Sequence, residues 1–333
     1  MKILITTGIY PPKVGGPAQY AQNLADEFCK KGYSVRISTY SFENNFPTGI
    51  RHITFFLKTL FKLIGANFVI TLDTFSAGVP TAIACLILRK KLVLRTGGDF
   101  LWEQYVERTN HMIPLSEFYK NHQEFTFKEK TIYFFTKFLL KSSNNIIFST
   151  QWQKDIFKDA YGIADSKTSI IENFFGGKIE SHESKRKNFL WYVRDIKIKN
   201  GDVLKKTFEK ARVEKKEIEL DTGNTTHEEL IRKIRECYVV ILPSLSDISP
   251  NYILDAIRFN KPFILTKHSG YTQKFKEIGV FVDPLDENDM KDKILYLAED
   301  LNYEKHKNLI KNYNFTHSWN EIADEFLKIF TEL

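Results

Sequence analysis

Residues that can hold a phosphorylated, hydroxyl-rich ligand gather in two stretches of the second half of this chain. In Val193-Arg194-Asp195-Ile196-Lys197-Ile198-Lys199-Asn200, Arg194 and Lys199 straddle a strand-to-helix loop. Two cations so placed can hold a diphosphate, arginine through its bidentate fork and lysine as a point charge. The second stretch, Pro243-Ser244-Leu245-Ser246-Asp247-Ile248-Ser249-Pro250-Asn251-Tyr252-Ile253-Leu254-Asp255, begins where another strand ends. There Ser249-Pro250 reads as an N-cap and first helical residue, so Ser249 and Asn251 stand at a helix N-terminus suited to phosphate. Asp247 falls in the loop and Asp255 in the second helical turn. Both carboxylates can then face one cleft and accept hydrogen bonds from ribose or sugar hydroxyls. The blander reading has Asp247 cap the turn and Asp255 sit in solvent.

Two segments of the first half have similar potential. Gly8-Ile9-Tyr10-Pro11-Pro12-Lys13-Val14-Gly15-Gly16-Pro17 directly follows the opening apolar run. Gly15 and Gly16 let backbone approach a ligand closely, and the helix that follows presents free amides to an anion. The spacing is not GxGxxG, which weighs against a nicotinamide dehydrogenase. Arg95-Thr96-Gly97-Gly98-Asp99-Phe100 follows a later strand and places Asp99 in a glycine-rich loop. A plain tight turn is the alternative in both cases.

These segments sit in a regular alternation of short apolar runs with helix-length ones. Strands are expected at 2–7, 34–39, 68–72, 91–95 and 145–148, with helices at 18–31, 77–89 and 127–141. After a polar stretch at 174–187, read as a linker, strands recur at 189–193, 217–220, 239–242 and 262–266. Helices between them are expected at 202–212, 226–235 and 251–259. The pattern predicts an α/β chain of two Rossmann-like, doubly wound domains with parallel sheets. The expected bounds are 1–175 and 188–312. An amphipathic helix at 315–333, with Trp319, Ile322, Phe326 and Ile329 on one face, is expected to pack back on the first. Such sheets bind ligands at their strands' carboxyl ends, so the cleft between the domains is the expected site.

Composition narrows the classes. Hydrophobic residues make up 43% and charged residues 27%, which suits a globular chain and excludes a disordered one. The three cysteines, Cys29, Cys85 and Cys237, are far apart and form no metal or disulfide spacing, which points to a reducing cytosol. The opening run lacks the features of a signal peptide. Residues 53–72, the best candidate for a membrane span, are broken by Lys58 and Lys62. Residues 1–175 hold 21 Lys+Arg against 14 Asp+Glu, a net of +7, and the remainder holds 27 against 27. The excess positive charge suits an anionic lipid surface, a phosphorylated acceptor or a nucleic acid, and a merely solvated basic surface is the alternative. The basic residues do not interleave with aromatics as in a nucleic-acid module, so no nucleic-acid partner is expected.

Taken together, these segments resemble the family 4 glycosyltransferases, retaining enzymes of the GT-B fold, over nearly the whole chain. Pro11-Pro12 with Gly15-Gly16 matches the family's opening loop. Arg194 and Lys199 match its Arg and Lys pair, and Asn173 matches an Asn before the second domain. Asp247 and Asp255, after Pro243-Ser244, occupy two acidic positions that are glutamates in the family. The resemblance implies transfer of a sugar from a nucleotide-diphosphate sugar to a cell-envelope, lipid-linked or glycan acceptor. It implies retention of configuration, no metal, and no cofactor beyond the nucleotide-sugar co-substrate. Arg194 and Lys199 would neutralise the diphosphate, Asp255 would hold the donor ribose, and Asp247 would lie near the transferred sugar. Gly15 and Gly16 would touch donor phosphate or acceptor, and Asp99 would stand in for a histidine common in that loop. The family often docks on membranes through aromatic, basic helices. Residues 55–62 and 133–141 have that character and imply a peripheral contact with an anionic inner-membrane face; the alternative is core-packed helices with solvated lysines.

Two other readings remain. The aspartates and the missing glycine before Arg194 suit a degenerate, non-catalytic partner protein that binds sugar nucleotides. A GT-B-fold sugar-nucleotide epimerase would need acid and base residues in the cleft, and His52, His111, His122 and His268 form no such set in the sequence.

Overall fold

The computed structural model describes residues 1–333 except Val14, His122 and Lys185. Two compact units emerge: residues 1–101, 124–174 and 317–333 form unit 1, and residues 102–123 and 175–316 form unit 2. The chain runs β1 (Lys2–Thr7), α1 (Gly16–Lys30), β2 (Ser34–Thr39), α2 (Thr48–Leu63), β3 (Phe68–Thr71), α3 (Gly78–Ile87) and β4 (Leu92–Arg95). It continues with α4 (Phe100–Thr109), α5 (Leu115–Phe118), α6 (Phe127–Ser142), β5 (Asn145–Phe148), α7 (Gln151–Tyr161) and β6 (Thr168–Ile170). Then follow β7 (Lys187–Trp191), α8 (Gly201–Glu214), β8 (Ile218–Thr222), α9 (His227–Glu236), β9 (Val239–Leu242) and α10 (Asn251–Arg258). The last elements are β10 (Phe263–Thr266), β11 (Val280–Val282), α11 (Glu287–Ala298), α12 (Asp300–Asn312) and α13 (Trp319–Glu332).

Unit 1 is built on a parallel sheet in the order β2-β1-β3-β4-β5-β6. Ile5 of β1 pairs in register with Ile37 of β2 and Ile70 of β3. β4 and β5 are buried at every position and β1 at all but its first, as expected of strands covered on both faces. α13 lays Ile322, Phe326, Ile329 and Phe330 into the same core as Leu24 and Phe28 of α1. Phe330 also stacks on Phe68 with ring centroids 4.2 Å apart. Ser318 and Glu321 form a capping box that starts this helix.

Unit 2 holds a second parallel sheet, β11-β10-β9-β7-β8. α8 starts hard against the end of β7. A Cβ on Gly201 would come within 2.5 Å of the Trp191 ring, so only glycine fits there.

Two segments differ from the sequence reading. Residues 102–123, expected in the first domain, group with unit 2. Their polar contacts explain this: Leu115 N donates to Ser246 Oγ (2.9 Å), Lys197 N donates to Glu107 (2.6 Å), and Ser116 Oγ lies 3.1 Å from His268 Nδ1. The stretch read as a linker is tied down along unit 2. Ile179 N bonds Arg258 O (2.9 Å), Lys178 Nζ bonds Ile257 O and Ile310 O, and Lys261 Nζ bonds His182 O. The passage from one unit to the next falls between two neighbours: Phe174 stacks on Trp319 in unit 1 and Phe175 on Phe315 in unit 2.

Candidate active site

In unit 2 the strand order reverses between β7 and β9, so the crevice outside their carboxyl ends is where such a sheet binds ligands. The loops after these two strands are the ones that carry the cations and acids. Asn200 adopts a left-handed conformation (φ 60°) and ends the first loop. Its amide donates to Pro243 O (3.2 Å) and Pro284 O (2.8 Å), clamping the loops that follow β9 and β11. Leu245 N adds a bond to Ile198 O (2.9 Å).

This scaffold brings Lys199 and Asp247 together. Lys199 Nζ lies 2.5 Å from Asp247 Oδ2, with side chains 17% and 14% exposed. Ser244 Oγ lies 3.5 Å from the same oxygen. The Asp247 backbone is held on both sides, its N–H donating to His268 O and its carbonyl accepting from Gly270 N. Asp247 is therefore fixed by its backbone and an ion pair. Arg194, in contrast, is exposed and has no ion-pair partner among the described residues.

Asp255 lies on α10, where Arg258 Nη1 donates to its Oδ1 (3.1 Å) one turn on. Burial pushes its carboxyl above the usual range, against the pull of Arg258. It is not the solvated acid of the blander reading. Asp247 and Asp255 share no partner among the described residues. Pro250 rather than Ser249 is the N-cap of α10, which has no side-chain cap. Ser249 is half-buried just ahead of it, and Asn251 is the exposed first helical residue. A proline at N-cap can offer no hydroxyl, which leaves the helix's first amides to other acceptors.

Sequence reasoning missed an aromatic and acidic group at the same strand ends. Tyr192, directly after β7, donates from its hydroxyl to Asp221 Oδ1 (2.7 Å). Lys233 Nζ is 3.0 Å from Asp221 Oδ2 and 4.7 Å from the centre of the Tyr192 ring. Tyr252 of α10 donates to Leu190 O (2.9 Å). The one local signal was the Tyr192 position, between a strand end and Arg194.

In unit 1 the reversal lies between β1 and β3. Gly15, before α1, has φ 158° and ψ 155°, a region essentially reserved for glycine. A Cβ on Gly16 would meet nothing within 4 Å, so its backbone is open to approach. Asp99 is only 3% exposed, which leaves an acceptor little of it to touch. The more informative residue of that segment is Arg95, the last residue of β4, which is 7% exposed and has no carboxylate partner among the described residues. Its Nη2 donates to Asn173 Oδ1 and to Ser149 Oγ (3.3 Å), and the guanidinium lies 3.7 Å from the centre of the Tyr20 ring. Asn173 thus serves as a clamp inside unit 1, its carbonyl also 3.3 Å from His317 Nδ1.

Among the described residues, no three His, Cys, Asp or Glu side chains come together as a metal site. His111 is exposed, and His52 and His268 are half-buried; His122 lies outside the described residues. The two half-buried rings belong to different units, His52 with Tyr40 and His268 with Ser116.

No protein-family model matches the chain. No curated protein matches it either. Solved structures do. Sucrose-phosphate synthase from Thermosynechococcus elongatus superposes with a TM-score of 0.73 at 13% identity, covering 99% of this chain and 98% of that one. The HepE protein of Anabaena, in complex with UDP-glucose, gives 0.70 at 14% identity with both chains fully covered. WaaG, a glycosyltransferase involved in lipopolysaccharide biosynthesis, gives 0.67 at 13% identity over 99% of this chain and 100% of that one. The fold is GT-B. At these identities the likeness is one of fold, and the chemistry must be argued from the residues.

Proposed function

We propose that this chain is a retaining, metal-independent glycosyltransferase that moves a sugar from a nucleotide-diphosphate sugar to a lipid-linked or other cell-envelope acceptor. The observation that carries the reading is the convergence of Lys199 and Asp247 at the β7/β9 reversal of unit 2, with Arg194 on the same loop and without an ion-pair partner among the described residues. On departure of the leaving group, negative charge grows on the diphosphate. Lys199 and Arg194 stabilise that charge more in the transition state than in the ground state, which is what accelerates transfer. Lys199 can do so without a divalent ion because its ammonium is already positioned by Asp247. Asp255 accepts from the donor ribose, and Tyr192 offers a ring against which a base can lie. Asp247 then stands near the transferred sugar.

Unit 1 binds the acceptor. Its Gly15-Gly16 backbone is open, and its surplus of basic residues suits an acceptor at an anionic membrane face. No helix of the described residues is long and apolar enough to cross a membrane, so such contact is peripheral in this reading.

A thermal-shift screen against UDP, GDP and ADP and their glucose conjugates, with and without EDTA, tests the donor site. A ligand that binds only the folded state raises its unfolding temperature in step with occupancy. A shift with one nucleotide that survives EDTA and vanishes in Arg194→Ala/Lys199→Ala is the expected result. No shift with any nucleotide refutes the reading. Binding with neither hydrolysis nor transfer over a broad acceptor panel instead marks a non-catalytic sugar-nucleotide binder, the reading to which the two aspartates lend weight.

A further inference from the structure

Unit 1 contains a cavity of about 750 Å³ whose lining includes none of the candidate site residues Gly15, Gly16 and Asp99. That volume lies in the range of sites for small organic ligands. Its walls are nearly all apolar: Ile53 and Phe56 of α2, Val79 and Ile83 of α3, and Ile132 and Phe135 of α6. In a parallel α/β sheet each helix begins at the strands' carboxyl edge. Ile53, Val79 and Ile83 all belong to the first two turns of their helices, so the cavity lies toward the edge where such sheets take ligands.

The apolar surface continues outside. α2 turns Ile53, Leu57 and Phe61 outward at 61%, 46% and 71% exposure, a stripe at i, i+4 and i+8. The lysines of α2 do not cover it. Lys58 Nζ bonds Thr39 O (2.7 Å) and pairs with Glu43, and Lys62 Nζ bonds Ile37 O (2.5 Å). They are tied back to β2 instead of being solvated. Ile53 belongs to both the stripe and the cavity wall, so one leads into the other. Phe127, 87% exposed, adds to the cavity's rim.

Among the described residues the lining includes two cations, Arg51 and Lys128, and no carboxylate. Arg51 has no ion-pair partner among the described residues, and its Nε is buried without a hydrogen-bond acceptor. Lys128 is exposed and likewise unpaired among the described residues. α2 starts without a side-chain cap, so its N-terminal amides add to the preference for an anion.

We infer that this cavity seats a single hydrocarbon chain of an anionic amphiphile, with the charged head at Arg51 and Lys128. That the amphiphile is the acceptor lipid rests on the transferase reading; the seat itself does not. An apolar cavity alone would take any small hydrophobe, and the unopposed cations are what select an anionic head.

The test is titration calorimetry of the full chain with dodecyl phosphate below its micelle concentration, with dodecanol, inorganic phosphate and phosphatidylglycerol vesicles as comparisons. Dodecyl phosphate should bind one to one, and each methylene removed should weaken binding about fourfold. Ile83→Trp, which fills the cavity, should abolish it. Lys128→Glu, at an exposed site where folding is safe, should weaken dodecyl phosphate about fivefold, through a lost attraction and a gained repulsion, and leave dodecanol unchanged. The inference falls if dodecyl phosphate does not bind, if chain length has no effect, or if Lys128→Glu weakens both ligands alike. It also falls if vesicles bind wild type and Ile83→Trp equally while dodecyl phosphate binds neither, since the face is then a plain membrane surface. Nucleotide binding is measured on the same preparations. Dodecyl phosphate binding without any nucleotide binding keeps the seat and removes the transferase reading, and the reverse result removes the seat alone.

Discussion

Replacing Asp247 by asparagine should tighten nucleotide diphosphate binding while impairing transfer. Asp247 Oδ2 sits 2.5 Å from Lys199 Nζ, with side chains 14% and 17% exposed. A diphosphate entering beside Lys199 has to share that ammonium with a carboxylate that repels it. Two like charges roughly 5–6 Å apart at an effective dielectric of about 20 repel by about 3 kcal/mol. Partial water access and salt reduce this to ~1–2 kcal/mol. The Asp247→Asn variant should therefore bind UDP about 5- to 30-fold more tightly than wild type. Stability should move the other way. Removing one partner of a fully buried pair costs about 3–5 kcal/mol, and here the exposure of both groups brings that to ~1–2 kcal/mol. Calorimetric titration with UDP in EDTA, beside urea denaturation, reads both quantities. Lys199→Met should weaken UDP binding by about 10-fold or more, the loss of a charged hydrogen bond. If UDP affinity is unchanged in both variants while stability drops, the pair is structural and the donor diphosphate lies elsewhere.

Three further outcomes follow from the same structure. Arg194→Ala should leave the urea midpoint within about 0.5 kcal/mol of wild type, because the residue is exposed and has no ion-pair partner among the described residues, yet weaken UDP binding ~10-fold in calorimetry. Phe326→Ala, which empties a fully buried ring site between α1 and α13, should cost about 3–5 kcal/mol in urea denaturation. His317 is paired with Glu325 at 3.3 Å, and that carboxylate raises the imidazole's pKa above its ordinary 6.5. Its contribution is therefore full below pH 6.5 and is lost as pH rises through the raised value. With Glu325 45% exposed, His317→Gln should cost under about 1 kcal/mol at pH 6 and less at pH 9, read as the difference between urea midpoints.

The strands of both sheets were largely legible because parallel strands buried on both faces read as short apolar runs. β1, β2, β5 and β9 span 2–7, 34–39, 145–148 and 239–242, as the alternation predicts. β6 and β11 escaped it. Each is three residues long, and β6 is Thr-Ser-Ile, too short and polar to register as a run. Among the site residues, position along the chain was legible and partnership was not. Loop chemistry placed Lys199 and Asp247 at strand ends, but their pairing spans 48 residues and depends on β7 and β9 being neighbours in the sheet. Arg95 contacts Asn173 across 78 residues for a similar reason. The membership of residues 102–123 in unit 2 was equally hidden, since it rests on contacts of Leu115 and Ser116 with residues more than 130 positions away.

Where the family 4 resemblance implies a glutamate, this chain has Asp255, and the difference is one of reach rather than charge. Asp255 keeps an ion pair, but its partner Arg258 stands on the same helix, and only Oδ1 is engaged. An ionised carboxylate offers about four acceptor positions. The second oxygen has no protein donor among the described residues, so it can still accept from a ribose hydroxyl. Burial already raises the energy of the charged form, and Arg258 offsets this only in part. A hydroxyl that donates to the remaining oxygen therefore replaces an imperfect environment with a better one, worth about 1.5–3 kcal/mol for a charged acceptor. A side chain one methylene shorter must hold its ligand closer to α10, which narrows the donor geometries it can serve. In the proposed reading, unit 2 meets a polar, charged ligand with ion pairs that can rearrange, whereas the cavity of unit 1 is apolar, with cations at its edge that have no carboxylate partner among the described residues. That division matches a reaction in which one substrate brings a diphosphate and the other a hydrocarbon chain.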